Sequence, residues 1–237
     1  MDKQSIDLNC LDCLEAYHSF FSNLTHENLH ILQLQKNIQQ EKKGAIIFLE
    51  GSKSQGVFCV KSGRIKIFKH GSYGREHITR LAFPGEFIGL KALLSGTPYS
   101  VSAQTLEDSV LCFIRKKEFF QLTLRYPEFT SALIACLSKQ LADVEDKMIL
   151  MAHKPVRERL ATTVLYLYQK FLVPSIPPEN IYINLTRQDL ANIVGTVPET
   201  ICRILTEWKE KKIVFIKGRK IFIQDTDILK KIAGSLP

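Results

Sequence analysis

Thr186–Lys212 reads TRQDLANIVGTVPETICRILTEWKEKK, and its pattern decides the architecture of the chain. Two short apolar-periodic segments meet at Gly195, where a chain can turn without a side chain to obstruct it. In the second segment Ile201, Ile204, Leu205 and Trp208 recur at i, i+3, i+4 and i+7, which places them on one side of a helix. The other side carries Pro198, Glu199, Cys202, Arg203 and Thr206. An apolar face that packs inward, backed by side chains of base-reading type, predicts a helix-turn-helix whose second helix enters a DNA groove.

Working outward, Ile213–Ile216 and Lys220–Ile223 flank Lys217-Gly218-Arg219 and predict a β-hairpin, the wing of a winged helix. Asp227–Ala233 predicts a closing helix. On the N-terminal side come a short strand at Ile181–Leu185, a loop at Val173-Pro-Ser-Ile-Pro-Pro178 and a helix over Arg157–Phe171, with Leu160, Val164, Leu165 and Leu167 apolar. Before them Ile134, Leu137, Leu141, Val144, Met148 and Met151 alternate at three and four residues, the seam of a helix paired with its own copy. Lys154-Pro155 ends that helix, since proline disfavours helical geometry in the residue before it.

From Gly44 the period is that of short strands. Ala45–Leu49, Val57–Val60, Ile65–Lys69, His77–Ala82, Tyr99–Thr105 and Ser109–Ile114 are separated by Gly-, Pro- and Ser-containing turns and predict a small barrel or roll. Residues 1–40 read as helical and polar. The expectation is an α+β fold in two parts. Residues 1–153 form a β-roll with a dimerisation helix over about 127–153, and 154–237 a winged helix-turn-helix.

At 237 residues and 45% hydrophobic content the chain can bury real cores. No apolar run is long enough to span a bilayer and MDKQSIDLNC is a polar start, so a cytoplasmic protein with no membrane partner is expected. The net charge of +8 is uneven: residues 151–237 hold 14 Lys+Arg against 8 Asp+Glu, and residues 1–150 hold 18 against 16. Excess positive charge around a recognition helix is the footprint of phosphate binding. Six cysteines in such a chain suggest thiols or ligands rather than a disulfide framework.

Roll, long helix and winged helix-turn-helix, in this order, resemble the cyclic-AMP receptor protein and fumarate–nitrate reduction regulator (Crp/Fnr) family of bacterial transcription factors. The resemblance covers essentially the whole chain. It is most specific at Leu185-Thr-Arg-Gln-Asp-Leu190 and Gly195-Thr-Val-Pro-Glu-Thr-Ile-Cys-Arg-Ile-Leu205. Lys61-Ser-Gly-Arg64, Phe83-Pro-Gly-Glu-Phe-Ile-Gly89 and Arg157-Glu-Arg-Leu160 support it. It implies a homodimeric regulator of a near-palindromic operator, with RNA polymerase as a further partner if the protein activates.

Arg203 can place its fork on guanine O6 and N7, and Glu199 can accept from cytosine N4. A carboxylate in a helix's first turn is also favoured by the macrodipole alone. Pro198 stands where some relatives carry a base-reading Arg and has no donor to offer; Cys202 can touch a thymine methyl. Thr186, Arg187 and Gln188 open the first helix, where backbone N–H groups and Arg bind phosphate. With Thr200, Lys217 and Arg219 they complete the expected backbone contacts.

By the same resemblance Phe87, Ile88, Gly89, Leu90, Lys91, Tyr99 and Ser100 are the candidate effector pocket. Cyclic-nucleotide-binding relatives use a Glu after Phe-Ile-Gly and an Arg-Ser pair further on, and here those places hold Leu90-Lys91 and Tyr99-Ser100. A phosphate without its Arg loses its strongest contact, which disfavours cyclic AMP. Cys10, Cys13 and Cys112 resemble three of the four thiolates that hold an oxygen-sensing iron–sulfur cluster in one branch. The fourth place holds Ser19, beside His18. Such clusters generally need four good ligands, so a site without a cluster is expected, with an intact redox sensor as the alternative. A metal enzyme built on Cys59, His70 and His77 is the third possibility. It lacks ligand spacing, and no catalytic constellation can be named, so a non-enzyme is expected.

Overall fold

A computed structural model describes residues 36–71, 74–172, 177 and 180–234. Cys10, Cys13, His18, Ser19 and the helical expectation for 1–35 lie outside the described residues, as does most of the loop at 173–178. The chain divides into two compact units, one of Met1–Lys69 with Thr79–Ala142 and one of His70–Ile78 with Asp143–Pro237.

The first unit is a β-roll of two four-stranded sheets. One runs β1-β8-β3-β6, built from β1 (Lys36–Glu41), β8 (Ser109–Arg115), β3 (Gly56–Ser62) and β6 (Phe87–Ile88). The other runs β2-β7-β4-β5, from β2 (Ile46–Phe48), β7 (Ser102–Thr105), β4 (Ile65–His70) and β5 (Glu76–Ala82). In the first sheet β3 is apolar at consecutive positions because both its faces are covered, which removes the usual alternation. Phe58, Val60, Ile88 and Leu111 join Phe48, Ile65, Ile67 and Ala103 inside the roll. Val57, Cys59, Phe87, Cys112 and Ile114 pack outward on helices α1 (Leu90–Ser95), α2 (Lys116–Arg125) and the start of α3 (Pro127–His153).

One local expectation is corrected. Residues 36–40, read as helical, are strand β1, paired antiparallel with β8 along its whole length. It is a wet edge strand in which even Ile38 is exposed, so it carries no alternating pattern to read. Leu90–Ser95 is a helix, bounded by Gly89 and Gly96, both left-handed.

The second unit holds the remainder. Helix α4 (Val156–Phe171) buries Leu160, Ala161, Val164 and Leu167. Then come β9 (Tyr182–Asn184), α5 (Arg187–Val194), α6 (Pro198–Glu210), β10 (Val214–Lys217), β11 (Lys220–Ile223) and α7 (Thr226–Ala233). The three strands form one sheet in the order β10-β11-β9. The hairpin tip His70–Ile78 belongs to this unit: Asn192 donates to the Glu76 carboxylate at 3.0 Å, and Lys147 Nζ donates to the Ile78 carbonyl at 3.1 Å. Burial pushes the Lys147 ammonium down to about 8. Helix α3 runs unbroken across the division between the compact units at Ala142 and Asp143 and ends at His153, before Lys154-Pro155.

Candidate nucleic-acid interface

Helix α5 begins with a capping box. The Thr186 hydroxyl accepts from the Asp189 N–H at 2.9 Å, and the Asp189 carboxylate accepts from the Thr186 N–H at 3.3 Å. At the other end Gly195, with φ +74°, turns the chain, and its N–H donates to the Ala191 carbonyl at 2.8 Å. A Cβ at Gly195 would stand 2.5 Å from Met151 Cε, the mobile end of a flexible side chain, so it is the conformation rather than the room that calls for glycine.

Helix α6 follows, with Pro198 in its first turn, where a missing N–H costs nothing. Ile201, Ile204, Leu205 and Trp208 are all buried, and Glu199, Cys202, Arg203 and Thr206 are all exposed. The helix ends at Glu210, and Lys212 just beyond it has a φ of +54°, the one positive value at a non-glycine among the described residues. There the Ile213 N–H reaches back to the Trp208 carbonyl at 2.9 Å and closes the last turn. Arg157 braces α6 from α4 with two hydrogen bonds to Glu207, at 2.6 and 2.7 Å, and Lys211 adds a third at 2.8 Å. These partners, Arg157 first, hold the Glu207 carboxyl down at about 2.

The wing places Lys217 and Arg219 at its exposed tip around Gly218. The residues expected to open α5 on phosphate are more committed than the sequence suggested. The Thr186 hydroxyl serves the cap, and Gln188 Nε2 donates to Asn192 Oδ1 at 2.8 Å. Arg187 is half-buried, with Nη1 enclosed and without an acceptor, and desolvation lowers its pKa. Thr200 is partly exposed on the first turn of α6.

A polar stripe on a helix seated by Trp208, with a basic hairpin beside it, is the geometry of a winged DNA reader. Residues 38–126 match the family model of the cyclic nucleotide-binding domain, and residues 158–232 match that of the Crp-like helix-turn-helix domain. The chain belongs to the Crp/Fnr family. It is 29% identical over 227 residues to the transcriptional activator protein anr of Pseudomonas aeruginosa, covering 95% of this chain and 93% of that protein. It is 28% identical over 231 residues to the fumarate and nitrate reduction regulatory protein of Escherichia coli, covering 96% and 91%. In fold it is similar to FixK2 from Bradyrhizobium japonicum, with a TM-score of 0.76 over 84% of this chain and 98% of that one, at 23% identity. This Crp/Fnr chain is thus a DNA-binding transcription regulator, and the relatives it matches are regulators rather than enzymes.

The other candidates fall into different places. Phe87 and Leu90 face the helices, in the outer cluster, whereas Ile88 and Tyr99 face the interior of the roll. Lys91 is exposed, and its Nζ donates to Ser100 Oγ at 3.3 Å across the rim. Cys112 is 6% exposed within the outer apolar cluster and stands opposite Cys59 in the β3–β8 register. Among the described residues no three His, Cys, Asp or Glu side chains gather to hold a metal. Cys10 and Cys13, the other candidate thiolates, lie outside the described residues. His70 and His77 belong to the hairpin tip and Cys59 to the roll. No described helix is long and apolar enough to cross a membrane.

Along α3 the expected seam divides. Ile134, Leu141, Val144 and Met148 are exposed, Leu141 at 61% and Met148 at 67%. Leu137 packs against the roll's outer cluster, and Met151 lies against Gly195.

Proposed function

We propose that this regulator works in the cytoplasm as a homodimer on a near-palindromic operator, reading bases with Glu199 and Arg203. One observation carries the reading: α6 buries Ile201, Ile204, Leu205 and Trp208 and leaves Glu199, Cys202, Arg203 and Thr206 exposed. Cys202 supplies an apolar contact, and Pro198 leaves its place without a donor. Lys217 and Arg219 hold phosphates from the wing, with Arg187, Gln188, Thr186 and Thr200 around the start of the two helices. Pairing of α3 with its copy along Ile134, Leu137, Leu141, Val144, Met148 and Met151 sets the two readers in successive major grooves, about 34 Å apart. If the protein activates, RNA polymerase is its further partner.

Selection of binding sequences from random duplexes, followed by titration at fixed salt, tests this. Arg203→Ala relaxes preference at one guanine position by about 1–3 kcal/mol. Lys217→Ala instead weakens all sequences alike. A wild-type protein with no preference over random DNA would falsify the reading.

The input end of the molecule has two readings. The roll senses an effector other than cyclic AMP, since the Arg expected on the phosphate is replaced by Tyr99. Alternatively, Cys10, Cys13 and Cys112 with a fourth ligand hold an iron–sulfur cluster. Anaerobic purification with iron and sulfide assays decides between them: a colourless, iron-free protein removes the second.

A further inference from the structure

Among the described residues Asn192, on α5, is the one buried side-chain amide, 9% exposed. A buried amide needs its hydrogen bonds met. Its Nδ2 donates to Glu76 Oε1 at 3.0 Å, across 116 positions of sequence. Its Oδ1 accepts from Gln188 Nε2 at 2.8 Å, one turn back along the helix. Glu76 opens β5, in the hairpin tip His70–Ile78 that belongs to the second unit. Two further bonds hold that tip in place. The His77 imidazole is hydrogen-bonded to the Asn192 backbone, and the Ile78 carbonyl accepts from Lys147 Nζ at 3.1 Å.

The chemistry of the three groups gives this relay one direction. A carboxylate only accepts, so Asn192 must turn its NH2 to Glu76 and its oxygen to Gln188. Gln188 must then turn its own NH2 to Asn192, which leaves that nitrogen a second N–H to donate elsewhere. Gln188 is exposed, and a long exposed side chain ordinarily loses rotamer freedom when it binds. Here the relay orders it beforehand.

We propose that Glu76 is a positioning residue for DNA binding: through Asn192 it holds the Gln188 amide ready to donate to a backbone phosphate. This rests on the reading that places Gln188 on the DNA backbone. It runs against simple electrostatics. A carboxylate two hydrogen bonds from a phosphate contact repels DNA, so by charge alone its removal would tighten binding. The relay makes the opposite sign the expected one.

The test measures the affinity of the full chain for its operator duplex at fixed salt. Gln188→Ala weakens binding roughly tenfold, the loss of one hydrogen bond to a charged group. Glu76→Ala weakens it by about the same factor, and the double variant is no weaker than either single one. Glu76→Gln, whose side-chain oxygen can accept the same N–H, stays within about twofold of the wild type. A Glu76→Ala protein that binds as tightly as the wild type, or more tightly, overturns the proposal. So does a loss of undiminished size when Glu76→Ala is made in the Gln188→Ala background, which marks a general brace on α5. Equal weakness of Glu76→Gln and Glu76→Ala overturns it too, since charge alone would then be at work. Should Glu76→Ala not fold, Asn192→Leu, of nearly the same shape, cuts the relay in the middle. The same tenfold loss is expected of it, and wild-type affinity is fatal. Wild-type affinity of Gln188→Ala removes the contact to be positioned and the proposal with it, while base reading by Glu199 and Arg203 stands. Absence of any preference over random DNA strikes the functional reading instead. The cycle is then measured on an arbitrary duplex, because a phosphate contact is indifferent to sequence.

Discussion

Single residues in the reader have been given two kinds of work, and Glu207 shows how to tell them apart. It lies on α6 between the reading stripe and the buried face, and its carboxylate is spent on Arg157 and Lys211. In the unfolded chain it titrates near its ordinary 4.5, and in the folded chain at about 2. Between those values the unfolded chain takes up the proton first, so stability present above 4.5 is lost as pH falls toward 2. Acid unfolding of Glu207→Gln should lack that part of the slope; an acid limb identical to the wild type would show that the brace contributes nothing. Thr186 makes the complementary point. Sequence placed it on phosphate, but S/T-x-x-D is equally a helix cap, and the hydroxyl went to Asp189. Arg203 and Glu199 were legible because exposure of a stripe follows from helical period alone. The packing of Tyr99 was not legible, because its rotamer depends on Phe48 and Gly89, which are 51 and 10 positions away in the sequence.

At the scale of elements, the three-and-four repeat on α3 predicted a seam, and burial divides that seam by neighbour. Leu137 is drawn onto the roll and Met151 onto the turn, which leaves Ile134, Leu141, Val144 and Met148 as the exposed run. Leu141→Asp with Met148→Asp places two carboxylates in that run without touching either core. The double variant should sediment as a monomer, keep its helical circular dichroism and lose at least ten-fold in operator affinity, as expected when two linked half-site contacts become one. A stable dimer would show that another surface pairs the chains. Strands β3 and β8 were readable as apolar runs; β1 was not, because an exposed edge needs no apolar residues and KNIQQE has almost none. Helix α1 escaped notice for its length: six residues between two glycines do not complete two turns of periodicity.

For the whole molecule, charge is the property that composition reports directly. The excess of Lys and Arg lies in residues 151–237, the part of the chain that holds the wing tip and the reader. A dimer that sets Arg187, Lys217 and Arg219 of each copy on phosphates releases roughly six counterions, so log Kd should rise against log salt with a slope of about 5. A slope near zero would remove the backbone contacts from the model of binding. Order of elements and family were legible because the signature motifs lie in turns and caps, where backbone geometry restricts the residue. The division of the chain was harder to place. Pro155 marks a break in the helix, but the packing boundary at Ala142 and Asp143 lies within a continuous helix and leaves no compositional trace.

The contact between Met151 and Gly195 joins the last turns of α3 to the turn between α5 and α6. One residue belongs to the helix expected to choose a partner chain, the other to the turn that aims the reader. A protein engineer who recodes the helix to accept a different partner cannot treat position 151 as interchangeable with the rest of the repeat. On the proposed pairing of α3, a change at position 151 bears on the partner helix and on the turn at once.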